Sequence, residues 1–231
     1  MAITLYDLAG AEDDRRFSPF CWRVRMALAH KGLAVDARPW RFTEKDAIAF
    51  SGQSKVPVIV DGGKTVFDSW AIAEHLDAAY PEKPLLMATP RERAVTKFVM
   101  AWTDTVLHPA IFRIVALDIH DHLHEKDKAY FRKTREERFG TTLEAFVAGR
   151  DEKLAALRQC LTPLRTLLSG QPFLCGEAPA YADYVVFGAF QWARAISPAR
   201  LLAEDDPVAV WRRRLLDAFG GMAGAARGYP A

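Results

Sequence analysis

Two rhythms of apolar and polar positions divide the chain. Up to about residue 80, short β-branched runs alternate with helical stretches; beyond about residue 90 only helical spacing remains. Residues 3–8 read as a first strand, and a polar loop rich in Asp and Arg covers 9–16. Ser18 then precedes Pro19, and the helix they open runs to Gly32 with His30 and Lys31 in its last turn. Residues 33–40 hold a second β run, and 43–50 a short helix. Val56-Pro57-Val58-Ile59-Val60 reads as a buried strand. The turn Asp61-Gly62-Gly63-Lys64 returns the chain through Thr65-Val66-Phe67, and Asp68 and Ser69 open a helix continued by residues 70–76.

The resulting order, βαβ then ββα, is that of a thioredoxin-like domain, expected over residues 1–80. Pro81-Glu82-Lys83-Pro84 begins a linker placed at 81–89. The remainder, 90–231, is expected to be all helical. Val95, Phe98, Val99, Trp102 and Val106 form a stripe on a helix over 91–107, which Pro109 is expected to kink or end. A long helical pattern over 143–168 is interrupted near Pro163 and stopped by Gly170. Residues 183–195 are very apolar and read as a buried central helix. Asp206-Pro207 opens a last helix to about Phe219.

Pro57 lacks an N–H for a strand ladder, so it belongs at a strand start or edge. Val56 then keeps its own N–H and C=O free for a peptide-like ligand. The helix start at Asp68-Ser69 offers unbonded N–H groups and a positive dipole end to a carboxylate. An ordinary edge strand and capped helix would look the same. Ser18 also admits two readings. It caps a helix, or it donates a hydrogen bond to a thiolate held at the helix start, lowering that thiol's pKa. Cys21 lies three residues on; with serine at the first position of Ser18-x-x-Cys21, exchange through a cysteine pair is excluded, and Cys21 reads as a packed residue.

Composition narrows the function classes. The chain has 231 residues, 50% hydrophobic, with 26% charged and a net charge of +2, so nothing marks an electrostatic nucleic-acid binder. The start lacks a basic n-region and a long apolar h-region, and no apolar run reaches ~18 residues; no signal peptide and no membrane span are expected. Three cysteines fit a reducing cytoplasm. His120, His122 and His124 alternate and would suit a metal only in an extended segment; a solvated loop between helices is the expectation, and no metal site.

Together, Ser18 before the first helix, the Val56-Pro57 step, the Asp68-Ser69 helix start and the helical second half resemble the cytosolic glutathione transferase family across essentially the whole chain. Several segments look like the bacterial β-aryl etherases, which cleave ether bonds of lignin-derived aryl ketones with glutathione: residues 3–8, Ser18-Pro19 with Trp22-Arg23, residues 57–61, Asp68-Ser69-Trp70, Ile72-Ala73-Glu74, Ala148-Gly149-Arg150, Ala182-Asp183-Tyr184 and residues 204–207. Phe17-Ser18-Pro19-Phe20 also resembles the omega class, with serine where that class has cysteine, and residues 22–25 resemble the zeta class.

The resemblance implies a homodimer using glutathione as co-substrate against a small hydrophobic or aromatic electrophile. It implies a cis Pro57, Ser18 at the glutathione sulfur and Val56 on the cysteinyl backbone. Asp68 and Ser69 would take the γ-glutamyl end, and Lys55, with Trp40 or Arg41, the glycyl end. Phe17, Phe20, Trp102, His108, Phe112 and Trp192 are the candidate lining of the second substrate's site. Ala180 replaces the Ser or Thr of the family's capping box, leaving Asp183 to satisfy that helix start alone. A non-catalytic glutathione-dependent ligand carrier, and an isomerase or dehalogenase, are the alternatives on the same fold.

Overall fold

The computed structural model describes residues 2–230. One four-stranded sheet has the order β2-β1-β3-β4. β1 (Ile3–Leu8) runs parallel to β2 (Val35–Trp40) and antiparallel to β3 (Val58–Asp61), which pairs antiparallel with β4 (Lys64–Phe67). A parallel pair needs a crossover, and α1 (Pro19–His30) supplies it. α2 (Ser69–Ala79) buries Ile72, Ala73 and Leu76. This is the expected thioredoxin-like unit, followed by a helical domain.

β3 begins two residues later than the apolar run suggests. The Val56-Pro57 bond is cis, Pro57 has no ladder donor, and Val56 makes no backbone hydrogen bond within the described residues.

The second half departs from its periodicity in three places. α3 (Pro90–Trp102), capped by Thr89 and Glu92, passes through a π-helical turn (Thr103–Leu107) into α4 (His108–Asp121). Pro109 therefore sits in the first turn of α4, where proline is tolerated, and does not end the helix. The apolar stripe is only partly the inner face: Val99 and Trp102 pack against the core. Val95, Phe98 and Val106 are 48%, 73% and 39% exposed, while Thr96 is buried. α5 (Glu125–Phe139) follows.

Residues 143–168 form three helices instead of one interrupted helix: α6 (Leu143–Val147), α7 (Arg150–Cys160) and α8 (Thr162–Leu168). Gly149 takes φ +68 between the first two, a conformation that costs glycine little. α10 (Pro207–Ala225) runs past Phe219, but its backbone is non-helical at residues 218–221.

α9 (Tyr181–Ile196) is the central helix, with every residue buried except Arg194. Asp183 does satisfy its start: Oδ2 accepts from the Ala180 N–H at 2.9 Å, and Oδ1 from the Leu174 N–H and Trp211 Nε1 at 2.9 and 2.8 Å. α9 packs closely on α1. A Cβ at Gly188 would collide with the Pro19 carbonyl oxygen, so only glycine admits this approach.

Polar ties join the halves. Buried Asp127 of α5 accepts from the Phe42 and Thr43 N–H groups at 2.8 and 3.0 Å. Buried Lys31 pairs with Asp77 at 2.9 Å, and Asp77 also accepts from the Leu86 and Met87 N–H groups of the linker. His120, His122 and His124 occupy the α4–α5 junction; His122 bonds the Asp118 carbonyl and the Tyr229 hydroxyl, and His124 caps α5. Among the described residues no cluster of three or more His, Cys, Asp or Glu side chains is arranged to hold a metal, and no helix is long and apolar enough to cross a membrane.

Candidate functional site

A cavity of about 660 Å³ opens where the two halves meet. The start of α1 contributes Phe17, Ser18, Pro19 and Phe20; the end of β2 and the loops beyond contribute Trp40, Phe42, Lys45, Lys55 and Val56. Facing them are His108, Phe112 and Arg113 of α4, Arg135, Arg138 and Phe139 of α5, Phe146 of α6 and Trp192 of α9.

Ser18 caps α1 and is 4% exposed. Its Oγ accepts from the Cys21 N–H at 3.1 Å, and its own proton has no acceptor among the described residues. A hydroxyl that accepts from the helix and still has a proton to give is suited to an anion at that end. Cys21, by contrast, is fully buried, and burial pushes its thiol well above the ordinary range.

The opposite wall is aromatic. Phe112 stacks on Trp192 at 6.1 Å and meets Phe139 and Phe146 at 5.5 Å each. His108 stands edge-on to Phe20 at 5.3 Å and to Trp192 at 5.8 Å. Burial first, and the Arg23 charge second, lower the His108 pKa to about 3, so the ring is neutral at pH 7. Its Nδ1 lies 3.4 Å from Asp104 Oδ1, and its buried Nε2 has no partner among the described residues.

Several residues named from the sequence lie elsewhere. Trp102 is outside the cavity lining and packs against the core from α3. Arg41 turns away: its guanidinium donates to the Gly10 and Ala11 carbonyls and to Asp13. Phe17 and Trp40 line the cavity but are only 2% exposed, and Trp40 Nε1 donates to the Glu44 carbonyl at 2.7 Å. Asp68, Ser69 and Pro57 do not line it. Asp68 caps α2 through Oδ1, at 2.9 and 3.1 Å from the Trp70 and Ala71 N–H groups, with φ +69, a strained value for a residue with a side chain. The Ser69 carbonyl accepts from the Tyr181 hydroxyl of α9.

Arg113, Arg135, Arg138, Phe139 and Phe146 were not apparent as site residues. One signal was present: Phe131, Arg135 and Arg138 recur at helical spacing, which puts them on one face of α5.

The comparisons agree with this architecture. A family model described as "Glutathione S-transferase, N-terminal domain" matches residues 14–84, and one described as "Glutathione S-transferase, C-terminal domain" matches 94–215. The chain belongs to the glutathione S-transferase family. It is 27% identical over 214 residues to a probable glutathione S-transferase of Oryza sativa subsp. japonica, covering 85% of this chain and 80% of that protein. It is 26% identical to glutathione transferase omega-1 of Caenorhabditis elegans, over 76% of this chain and 60% of that one. A crystal structure of a glutathione S-transferase of Ceriporiopsis subvermispora in complex with glutathione superposes with a TM-score of 0.82 at 26% identity, over 95% of this chain and 98% of that chain.

Proposed function

We propose that the protein is a glutathione transferase in which Ser18 holds the glutathione sulfur as a thiolate facing an aromatic electrophile in the cavity between the domains. The observation that carries this reading is the Ser18 hydroxyl. It sits at the start of α1, retains an unengaged proton, and lines the same cavity as the wall of Phe112, Phe139, Phe146 and Trp192. The unbonded N–H and C=O of Val56, beside Ser18 on the cavity wall, suit the cysteinyl backbone. Asp68 and the first turn of α2 suit the γ-glutamyl amine and carboxylate, and the strained Asp68 backbone is the kind found at binding sites. Lys55 is the cation for the glycyl end, with Arg41 removed from that role by its ties to the loop.

Bound glutathione supplies the sulfur nucleophile. Ser18 holds the negative charge at the helix start, and the aromatic wall orients the second substrate and excludes water. Ether cleavage next to an aryl ketone is the reaction we favour: a carbon–sulfur bond forms as the carbon–oxygen bond breaks, and phenolate leaves with the electron pair. A homodimer is the assembly we propose, and the exposed apolar side chains Val95 and Phe98 on α3 support it.

The test is phenol release from an aryl-ketone β-ether by wild type and Ser18→Ala, with glutathione affinity measured alongside. The expected result is release by wild type that collapses in the variant, by about 10²-fold, with affinity little changed. Undiminished turnover in Ser18→Ala overturns the role of Ser18. Absence of release, with turnover of aryl halides or epoxides, overturns ether cleavage alone.

A further inference from the structure

The cavity carries more positive charge than glutathione alone would use. Lys45, Lys55, Arg113, Arg135 and Arg138 line it, against a single carboxylate, Asp104. Asp104 is already paired with Arg23 at 2.5 Å. Among the described residues Arg113, Arg135 and Arg138 have no carboxylate partner.

Arg135 is the most constrained of the three. Its guanidinium lies over the Phe42 ring at 5.3 Å and the Phe131 ring at 4.6 Å, and it donates to Thr134 Oγ1 at 2.8 Å. Burial lowers its pKa, with Tyr130 working against the shift and Arg138 adding to it. Arg138 in turn lies over Phe139 at 5.3 Å, and Phe139 packs on Phe146 at 4.5 Å. Arg135 and Arg138, one helical turn apart on α5, both line the cavity at the edge of the aromatic wall. Arg135 is a half-buried cation with no carboxylate partner among the described residues, which is unfavourable, and a carboxylate bound between it and the exposed Arg138 would relieve it.

We propose that the electrophile is an anionic arene, whose ring packs against Phe112, Phe139 and Phe146 and whose carboxylate meets Arg135 and Arg138. This rests on the glutathione transferase reading. It adds the substrate's charge. Both arginines lie on α5, whereas Lys55, the cation proposed for the glycyl end, lies on the loop before β3, and this assigns the arene carboxylate a seat of its own.

Calorimetric titration with S-benzylglutathione and S-(4-carboxybenzyl)glutathione tests it, since the two ligands differ only by the carboxylate. Wild type is expected to bind the carboxylated ligand tighter by about tenfold, an advantage that shrinks as salt rises. In Arg138→Gln and Arg135→Gln the ratio is expected to fall towards one while S-benzylglutathione binds as before. Arg138 is exposed, so its substitution leaves the fold intact even if Arg135→Gln proves unstable. Equal affinities in wild type overturn the proposal. So does an equal loss for both ligands in the arginine variants, which would assign the arginines to the peptide. If neither ligand binds, the glutathione reading itself falls and takes this one with it; binding of S-benzylglutathione without preference leaves that reading standing.

Discussion

The Arg23 guanidinium of α1 donates to Asp104 Oδ1 of the π-helical turn at 2.5 Å, crossing from the first domain to the second. Arg23 is buried and Asp104 is more than a third exposed. The pair joins the cavity-lining Asp104, which also lies 3.4 Å from His108, to Arg23 behind it and keeps a buried cation compensated. Asp104→Ala is expected to lower stability by about 3 kcal/mol, because it strands the Arg23 charge. Urea denaturation measures this, and a loss below about 1 kcal/mol would mean that water replaces the carboxylate.

His108 makes stability depend on acid. Its folded pKa of about 3 lies below its ordinary value of 6.5, because burial disfavours the imidazolium. The neutral ring therefore contributes stability that is fully present above pH 6.5 and lost as pH falls towards 3. His108→Phe is expected to lose less stability than wild type between pH 7 and pH 4. Denaturation midpoints at the two pH values check this; equal slopes would show that His108 titrates normally. By the same sign, no rate change between pH 6 and 8 should disappear on replacing His108.

Gly188 sets how closely α9 approaches the start of α1. A methyl group there meets the Pro19 carbonyl oxygen, one residue from Ser18. Gly188→Ala is expected to cost about 2 kcal/mol by overpacking and to lower turnover more than Ser18-independent ligand binding. Thermal melting together with kcat reads both; wild-type values in each would show that α9 shifts freely.

Cys21 stands where a redox enzyme of this fold would place its second cysteine, yet burial pushes its thiol well up and its Sγ faces the Tyr6 carbonyl at 4.0 Å. Cys21→Ala is expected to retain turnover within about twofold and to lose about 1 kcal/mol from the smaller core side chain. Wild-type Cys21 should resist alkylation at pH 7 in the folded protein. Rapid labelling, or a disulfide reductase activity lost in the variant, would contradict this.

The local features from which the candidate site was read were legible because they depend on neighbouring residues alone. Ser18 before Pro19 is a capping pattern, and the structure shows the cap bond to Cys21. Asp68 before the helix is likewise a cap, and Pro57 interrupts a β run where a ladder donor is missing. Each needs only neighbours within four residues. His108, Phe112 and Trp192 were found by the resemblance, and the cavity does bring them together. Trp102 and Arg41 were not legible. Trp102 shares the apolar spacing of α3, but spacing does not say whether a side chain meets the core or the cavity, and Trp102 meets the core. Arg41 looked free until the loop at residues 9–16 folded back to offer it carbonyl oxygens.

The sequence by itself determined the order of strands and helices in the first domain, the caps that start α1 and α2, and the burial of α9. These follow from the periodicity, backbone limits and hydrogen-bonding capacity of nearby residues. Only the tertiary structure decided which cations share the cavity and which are neutralised. Arg23 found Asp104 across 81 positions of chain, while Arg113, Arg135 and Arg138 found no carboxylate among the described residues. Charge pairing between distant elements depends on how helices cross, and helix crossing depends on side-chain packing summed over the whole core.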